Sequence, residues 1–94
     1  MDLKILLPFS VFAEIKNVIR IIAETKESSV GLLPQMNDCV AALVPSIFTY
    51  ETESKNIHYL VVDEGVLIKS GNEVLVSVRN AFGRIDTGNQ APIF

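Results

Sequence analysis

The chain has no tryptophan, one histidine and one cysteine in 94 residues. A single thiol, Cys39, excludes any intrachain disulfide framework, and a reducing compartment is the default for such a sequence. Charge is also scarce: 20% of residues are charged, eight basic and eleven acidic, for a net charge of −3. The basic residues Lys4, Lys16, Arg20, Lys26, Lys55, Lys69, Arg79 and Arg84 are scattered. Nucleic-acid binding needs a concentrated positive footprint, so no nucleic-acid partner is expected. Long hydrophobic runs are missing as well. The longest uncharged run, residues 39–50, has 12 residues and is broken by Pro45. A membrane span needs about 20 apolar residues. The start, Met1-Asp2-Leu3-Lys4, has neither the basic n-region nor the cleavage pattern of a signal peptide. These absences point to a soluble protein, free to work beside a membrane.

What is present is apolar. Hydrophobic residues make up 49% of the chain. A chain of this length makes one domain and buries only about two-thirds of the surface its unfolded form exposes. Some apolar surface is therefore expected to be covered by a partner. Helical periodicity is nearly absent, and short β-rich runs separated by turn residues dominate. Strands are predicted over residues 3–7, 11–15, 18–25, 30–33, 39–44, 47–53, 57–62, 66–69 and 73–79. Pro8, Pro34 and Pro45 each stop a run. Ser70-Gly71-Asn72 reads as a compact hairpin turn, with Gly71 free to take positive φ. In the run after it, Val74, Val76 and Val78 share one face and are the core candidates; Leu75, Ser77 and Arg79 share the other. Both faces of 57–62 are largely apolar, which suits a strand covered on both sides. From Ala81 the pattern decays, and Gly83, Gly88, Asn89 and Pro92 oppose a regular helix there. The fold class expected is all-β: a flattened antiparallel β-sandwich of about eight to ten short strands. The domain is expected over residues 1–84, with 85–94 as a C-terminal tail.

Catalytic chemistry is hard to find. His58 lies inside a predicted strand, and Cys39 and Asp38 are its available partners, but nothing in the spacing brings them together. Cys39 precedes an apolar run and reads as a buried, inert thiol rather than a nucleophile with an adjacent base. Asp63-Glu64 reads as a solvated turn before Gly65. Glycine occurs at positions 31, 65, 71, 83 and 88, which supplies no phosphate loop. No cofactor and no metal are expected, and the chain is read as non-catalytic.

One segment carries more information. Residues 25–45 run from a polar turn through Gly31-Leu32-Leu33-Pro34 and a polar tetrad, Gln35-Met36-Asn37-Asp38, into the apolar stretch 39–44 and Pro45. Downstream come Tyr59-Leu60-Val61-Val62-Asp63-Glu64-Gly65 and Ile68-Lys69-Ser70-Gly71-Asn72-Glu73-Val74. In order and spacing this set, over residues 3–84, resembles the N-terminal domain of the epsilon subunit of F-type ATP synthases, called delta in mitochondria. That family has a Thr-rich turn, then Gly-[Ile/Val]-[Leu/Tyr]-Pro-x-His-Ala-Pro, an apolar run and a later hairpin. Here Met36 replaces the common His, Asn37-Asp38 replaces Ala-Pro, and Ser28, Ser46 and Glu64 stand where Gly is frequent. The departures suggest a divergent branch. The family's C-terminal helical hairpin needs about 25 or more residues, more than the stretch 81–94 offers. A truncated chain or a member without that hairpin is expected, and with it no autoinhibitory role.

The resemblance implies a non-catalytic central-stalk (rotor) subunit of an F-type ATP synthase. Such a subunit binds gamma and the membrane c-ring, and so links proton or sodium flow to ATP synthesis or hydrolysis. It implies that Lys26, Glu27, Ser28, Ser29 and Val30 face the c-ring, and that Gln35, Met36, Asn37 and Asp38 face gamma. Met36 is either a gamma contact or a cap on the end of the sandwich. Phe9 is either a second gamma contact or plain core. Residues 25–39 are expected at one end of the sandwich. The implied location is peripheral, on the cytoplasmic face of a bacterial or archaeal membrane. Two rivals stand beside this reading. One is an unrelated β-sandwich module for protein or ligand binding, which would favour a concave face with exposed aromatics. The other is a small enzyme built on Cys39 and His58, which requires the two to be close.

Overall fold

The computed structural model describes residues 1–86, with side chains through Gly83. Ten strands are present: β1 (Asp2–Leu7), β2 (Ser10–Ile15), β3 (Val18–Glu24), β4 (Ser29–Leu32), β5 (Cys39–Leu43), β6 (Ser46–Thr52), β7 (Ile57–Val62), β8 (Gly65–Ser70), β9 (Glu73–Val78) and β10 (Ala81–Asp86). Nine of them lie on the nine predicted runs, with ends displaced by at most one residue. Sheet I has the order β2-β1-β9-β8-β5, and sheet II the order β10-β7-β6-β3-β4.

The two sheets share one core. Leu3, Ile5, Leu67, Val74 and Val76 face inward from sheet I, and Val18, Ile21, Leu32, Phe48, Leu60 and Val62 from sheet II; all are almost fully buried. Each such side chain contributes about 1.5–3 kcal/mol relative to exposure. Alternation selects them: in β9 the pattern buries Val74, Val76 and Val78 and leaves Glu73 and Ser77 exposed, as the valine face predicts. In β7, Leu60 and Val62 are buried and Val61 between them is exposed.

The strand registers define two ends. Residues 16–17, 33–38 and 53–56 and the Gly71-Asn72 turn lie at one, the Gly71 end. Residues 8–9, 25–28, 44–45, 63–64 and 79–80 lie at the other, the Pro45 end. Backbone bonds tie the sheets at both ends. Val18 N–H donates to Met1 O at 2.8 Å at the Gly71 end, and Val44 N–H donates to Glu24 O at 3.2 Å at the Pro45 end. Thr25 and Leu43 form an isolated antiparallel bridge beside the latter.

Three expectations are corrected. First, the sandwich is not wholly antiparallel: β1 and β9 pair in parallel, with Leu3 opposite Val74 and Ile5 opposite Val76. Two hairpins, β1–β2 and β8–β9, abut through strands that point the same way, and the rest of the domain serves as the long connection a parallel pair requires. Second, the decaying pattern after Ala81 hides a tenth strand. β10 pairs antiparallel with β7 through a register shift between Phe82 and Ile85, and Gly83 sits in the shift with φ +54°, which marks a bulge. β10 runs through Asp86; residues 87–94 of the expected tail lie outside the described residues. Third, residues 25–39 do not lie at one end. β4 carries the chain from the Pro45 end to the Gly71 end between the two polar segments.

Candidate partner-binding surfaces

At the Pro45 end, β3 and β4 form a hairpin closed by residues 25–28. Thr25 organises it with one hydroxyl. Its Oγ1 donates to Ser28 O at 2.8 Å and accepts the N–H groups of Glu27 at 3.3 Å and Ser28 at 3.1 Å. Thr25 N–H also donates to Ser28 O at 2.8 Å. A threonine side chain that satisfies local backbone groups in this way stabilises a tight turn. The Ser29 hydroxyl donates to Glu24 Oε2 at 2.7 Å across the base of the hairpin. Lys26, Glu27, Ser28 and Ser29 are exposed, whereas Val30 is half-buried and packs against the core. The tip thus offers polar groups on a braced backbone. Phe9 lies at this same end, in the turn between β1 and β2, and is 100% exposed. A fully exposed Phe is not a core residue.

At the Gly71 end, residues 33–38 cross from sheet II to sheet I. The first part is a β-turn with Pro34 at its second position: Met36 N–H donates to Leu33 O at 3.1 Å, and Met36 Sδ accepts Leu33 N–H at 3.3 Å. Pro34 suits that position because its φ is already fixed near the required value. The second part is held from sheet I. Asp38 Oδ1 accepts Gly71 N–H at 2.7 Å. The Lys69 ammonium donates to Met36 O at 2.8 Å and Gly71 O at 2.9 Å. Gln35, Met36, Asn37 and Asp38 all remain exposed.

Lys69 was not visible as a site residue in the sequence, and it is only 2% exposed. The signal that could have found it is register. Lys69 stands opposite Val74 across the β8–β9 hairpin, so it shares the core face. A buried ammonium persists only where acceptors replace water, and the carbonyls of Met36 and Gly71 do so.

Between the two ends runs the outer face of sheet I. Val40 of β5, Val66 and Ile68 of β8, and Val11 of β2 are exposed on it, Val40 at 72%. Register places Val40 beside Ile68, Ile68 beside Leu75, and Leu6 beside Val11. The result is an apolar band, interrupted toward β1 and β2 by exposed Ser77, Lys4 and Glu14 on the same face, with Phe9 in the turn at one end and Met36 in the crossover at the other. A second, smaller apolar row, Ile47-Val61-Phe82, lies on the outer face of sheet II. The surplus apolar surface inferred from composition is therefore present and concentrated.

Cys39 and His58 are not brought together. Cys39 lies on β5 of sheet I, half-buried against the core, and His58 lies on β7 of sheet II, stacked on Tyr50 with ring centroids 4.9 Å apart. The described residues contain no group of three or more His, Cys, Asp or Glu placed to hold a metal ion.

A family model, the β-sandwich domain of the ATP synthase delta/epsilon chain, matches residues 1–84. No curated protein matches the chain. Among solved structures, the fold is similar to a chain of the Euglena gracilis mitochondrial ATP synthase (OSCP/F1/c-ring), with a TM-score of 0.80 and 21% identity over 85% of this chain and 51% of that one. It is also similar to a chain of the Tetrahymena thermophila mitochondrial ATP synthase central stalk and c-ring, with a TM-score of 0.72 and 19% identity over 87% of this chain and 65% of that one. The chain thus spans about half to two-thirds of the length of these structural relatives.

Proposed function

The chain belongs to the delta/epsilon β-sandwich family of ATP synthase, and on that premise we propose that it is a non-catalytic rotor domain of the central stalk. In this role it joins gamma to the c-ring and so couples proton or sodium translocation to ATP synthesis or hydrolysis performed elsewhere in the complex. It is peripheral to the membrane through the assembly. The two structural neighbours are mitochondrial; the cytoplasmic face of a bacterial or archaeal membrane is the prokaryotic equivalent of this placement.

The observation that carries the proposal is the apolar outer face of sheet I with Phe9 and Met36 at its two ends. Phe9 and residues 35–38 lie at opposite ends of the sandwich, so no partner seated on one end alone reaches both. A gamma subunit lying along the outer face of sheet I does, and it covers Val40, Val66 and Ile68 on the way. On the β5–β8 side such a surface has the apolar composition of an interface centre, and the charged pair Lys4 and Glu14 lies toward its β1–β2 side. The braced turn of Lys26, Glu27, Ser28 and Ser29 then faces the polar loops of the c-ring, where hydrogen bonding proceeds without a large desolvation cost. Val30, half-buried, packs against the core behind the turn.

The test is co-expression with the gamma subunit of the same organism, followed by native mass spectrometry. A one-to-one complex is expected. Val40→Asp, which puts a carboxylate in the middle of the band, is expected to abolish the complex while the chain stays folded. Two folded chains that do not associate would sink the proposal.

A further inference from the structure

We propose that Lys69 and Asp38 form a clamp that holds residues 33–38 in a partner-ready shape, which makes the buried Lys69 a positioning residue for gamma recognition. The inference rests on the gamma reading above. Residues 33–38 cross between sheets and belong to no strand. Their internal bonds stop at the Leu33–Met36 turn. Beyond it, three contacts join the crossover and the β8–β9 turn into one unit. These are Lys69 Nζ–H to Met36 O, Lys69 Nζ–H to Gly71 O, and Gly71 N–H to Asp38 Oδ1.

Lys69 is the one charged side chain buried among the described residues. An apolar residue opposite Val74 would serve the core at less desolvation cost. What an apolar residue cannot do is bind two carbonyls from separate connections at once. A lysine ammonium has three donors and a flexible stem, and here two of the donors reach acceptors 2.8 and 2.9 Å away on different loops. The exposed side chains of Gln35, Met36 and Asn37 are thereby presented on a fixed backbone. Fixing a loop in its bound shape removes the fractional population that otherwise lowers apparent affinity.

Lys69 cannot touch a partner directly, so its effect on binding must pass through the loop. The test has two arms. In the free protein, amide hydrogen exchange is followed at Met36 and Gly71 in the loop unit and at Val76 in the core. Lys69→Met and Asp38→Ala are expected to speed exchange at Met36 and Gly71 by about tenfold or more and to leave Val76 protected. Asp38→Asn keeps the Oδ1 acceptor and is expected to retain wild-type exchange. In the second arm, binding to purified gamma is titrated by calorimetry. Lys69→Met and Asp38→Ala are expected to weaken it about tenfold, as a loop one-tenth populated in its competent shape would, whereas Asp38→Asn binds as wild type does. If Asp38→Asn weakens binding as much as Asp38→Ala, the carboxylate acts by direct charge contact and the clamp role is overturned. Unchanged exchange at Met36 and Gly71 in both loosening variants overturns it too, as does undiminished gamma affinity in a variant whose loop has loosened. A wild-type chain that does not bind gamma overturns the gamma reading and the recognition role, while the exchange arm still decides whether the clamp exists.

Discussion

Gly65 accepts no side chain. A Cβ there would run into the Ser77 carbonyl oxygen and stand 2.7 Å from Val78 Cγ1 and 2.8 Å from Val78 Cα. Two of these three obstacles are backbone, so relief requires the β8–β9 ladder to move. Gly65→Ala is expected to cost about 3 kcal/mol, the upper part of the overpacking range, read as a lower urea midpoint at unchanged slope. The two phenylalanines Phe48 and Phe9 make the opposite comparison. Phe48 is 1% exposed, and Phe48→Ala is expected to destabilise by about 3–5 kcal/mol. Phe9→Asp is expected to change stability by no more than about 0.5 kcal/mol, and to weaken gamma binding. Side-chain alternation made Val74, Val76 and Val78 legible as core from the sequence alone. It did not expose Lys69, because a lysine in an apolar run reads as the solvent-facing member. Only the pairing register, Lys69 opposite Val74, reverses that assignment.

The hairpin of β3 and β4 depends on one hydroxyl. Thr25→Val keeps the shape and removes the Oγ1 contacts to Glu27 and Ser28. It is expected to cost about 1 kcal/mol, the net value of a typical exposed hydrogen-bonded turn group, and to speed hydrogen exchange at the Ser28 amide. The cross-strand pair Arg20–Glu51, at 2.8 Å, adds little to the same sheet because its arginine is half exposed. Nine of the strands were legible because Pro, Gly and polar triplets punctuate the chain. β10 was not, since Gly83 interrupts its alternation with a bulge, and bulged strands lose the period-two signal. The parallel pairing of β1 and β9 was illegible for a different reason: strand direction in a sheet is decided by distant neighbours, and no local residue pattern encodes it.

For the whole molecule, the geometry separates in space two polar segments that the sequence reading placed at one end. The polar residues of 25–29 and 35–38 read as surface in the sequence, and the apolar composition left area to be covered. Neither could show that β4 between them spans the sandwich, so that the two segments sit at opposite ends. The consequence is an independence test. Replacing Lys26 and Glu27 with Ala is expected to leave gamma affinity within about twofold, the scale of a peripheral contact, while a Met36→Asp change lowers it. Equal loss from both would show that the ends are not separate surfaces. The parallel seam between β1 and β9 also bears on how the molecule comes into being. The strand β1 finds its inner neighbour only when β9 has been made, so sheet I cannot close on a growing chain until residues 73–78 have left the ribosome. Contacts that distant along the chain make folding slow, in the millisecond-to-second range typical of all-β domains. Until then β1 holds only its hairpin partner and presents an open apolar edge, the kind of edge that nascent chains leave vulnerable to aggregation.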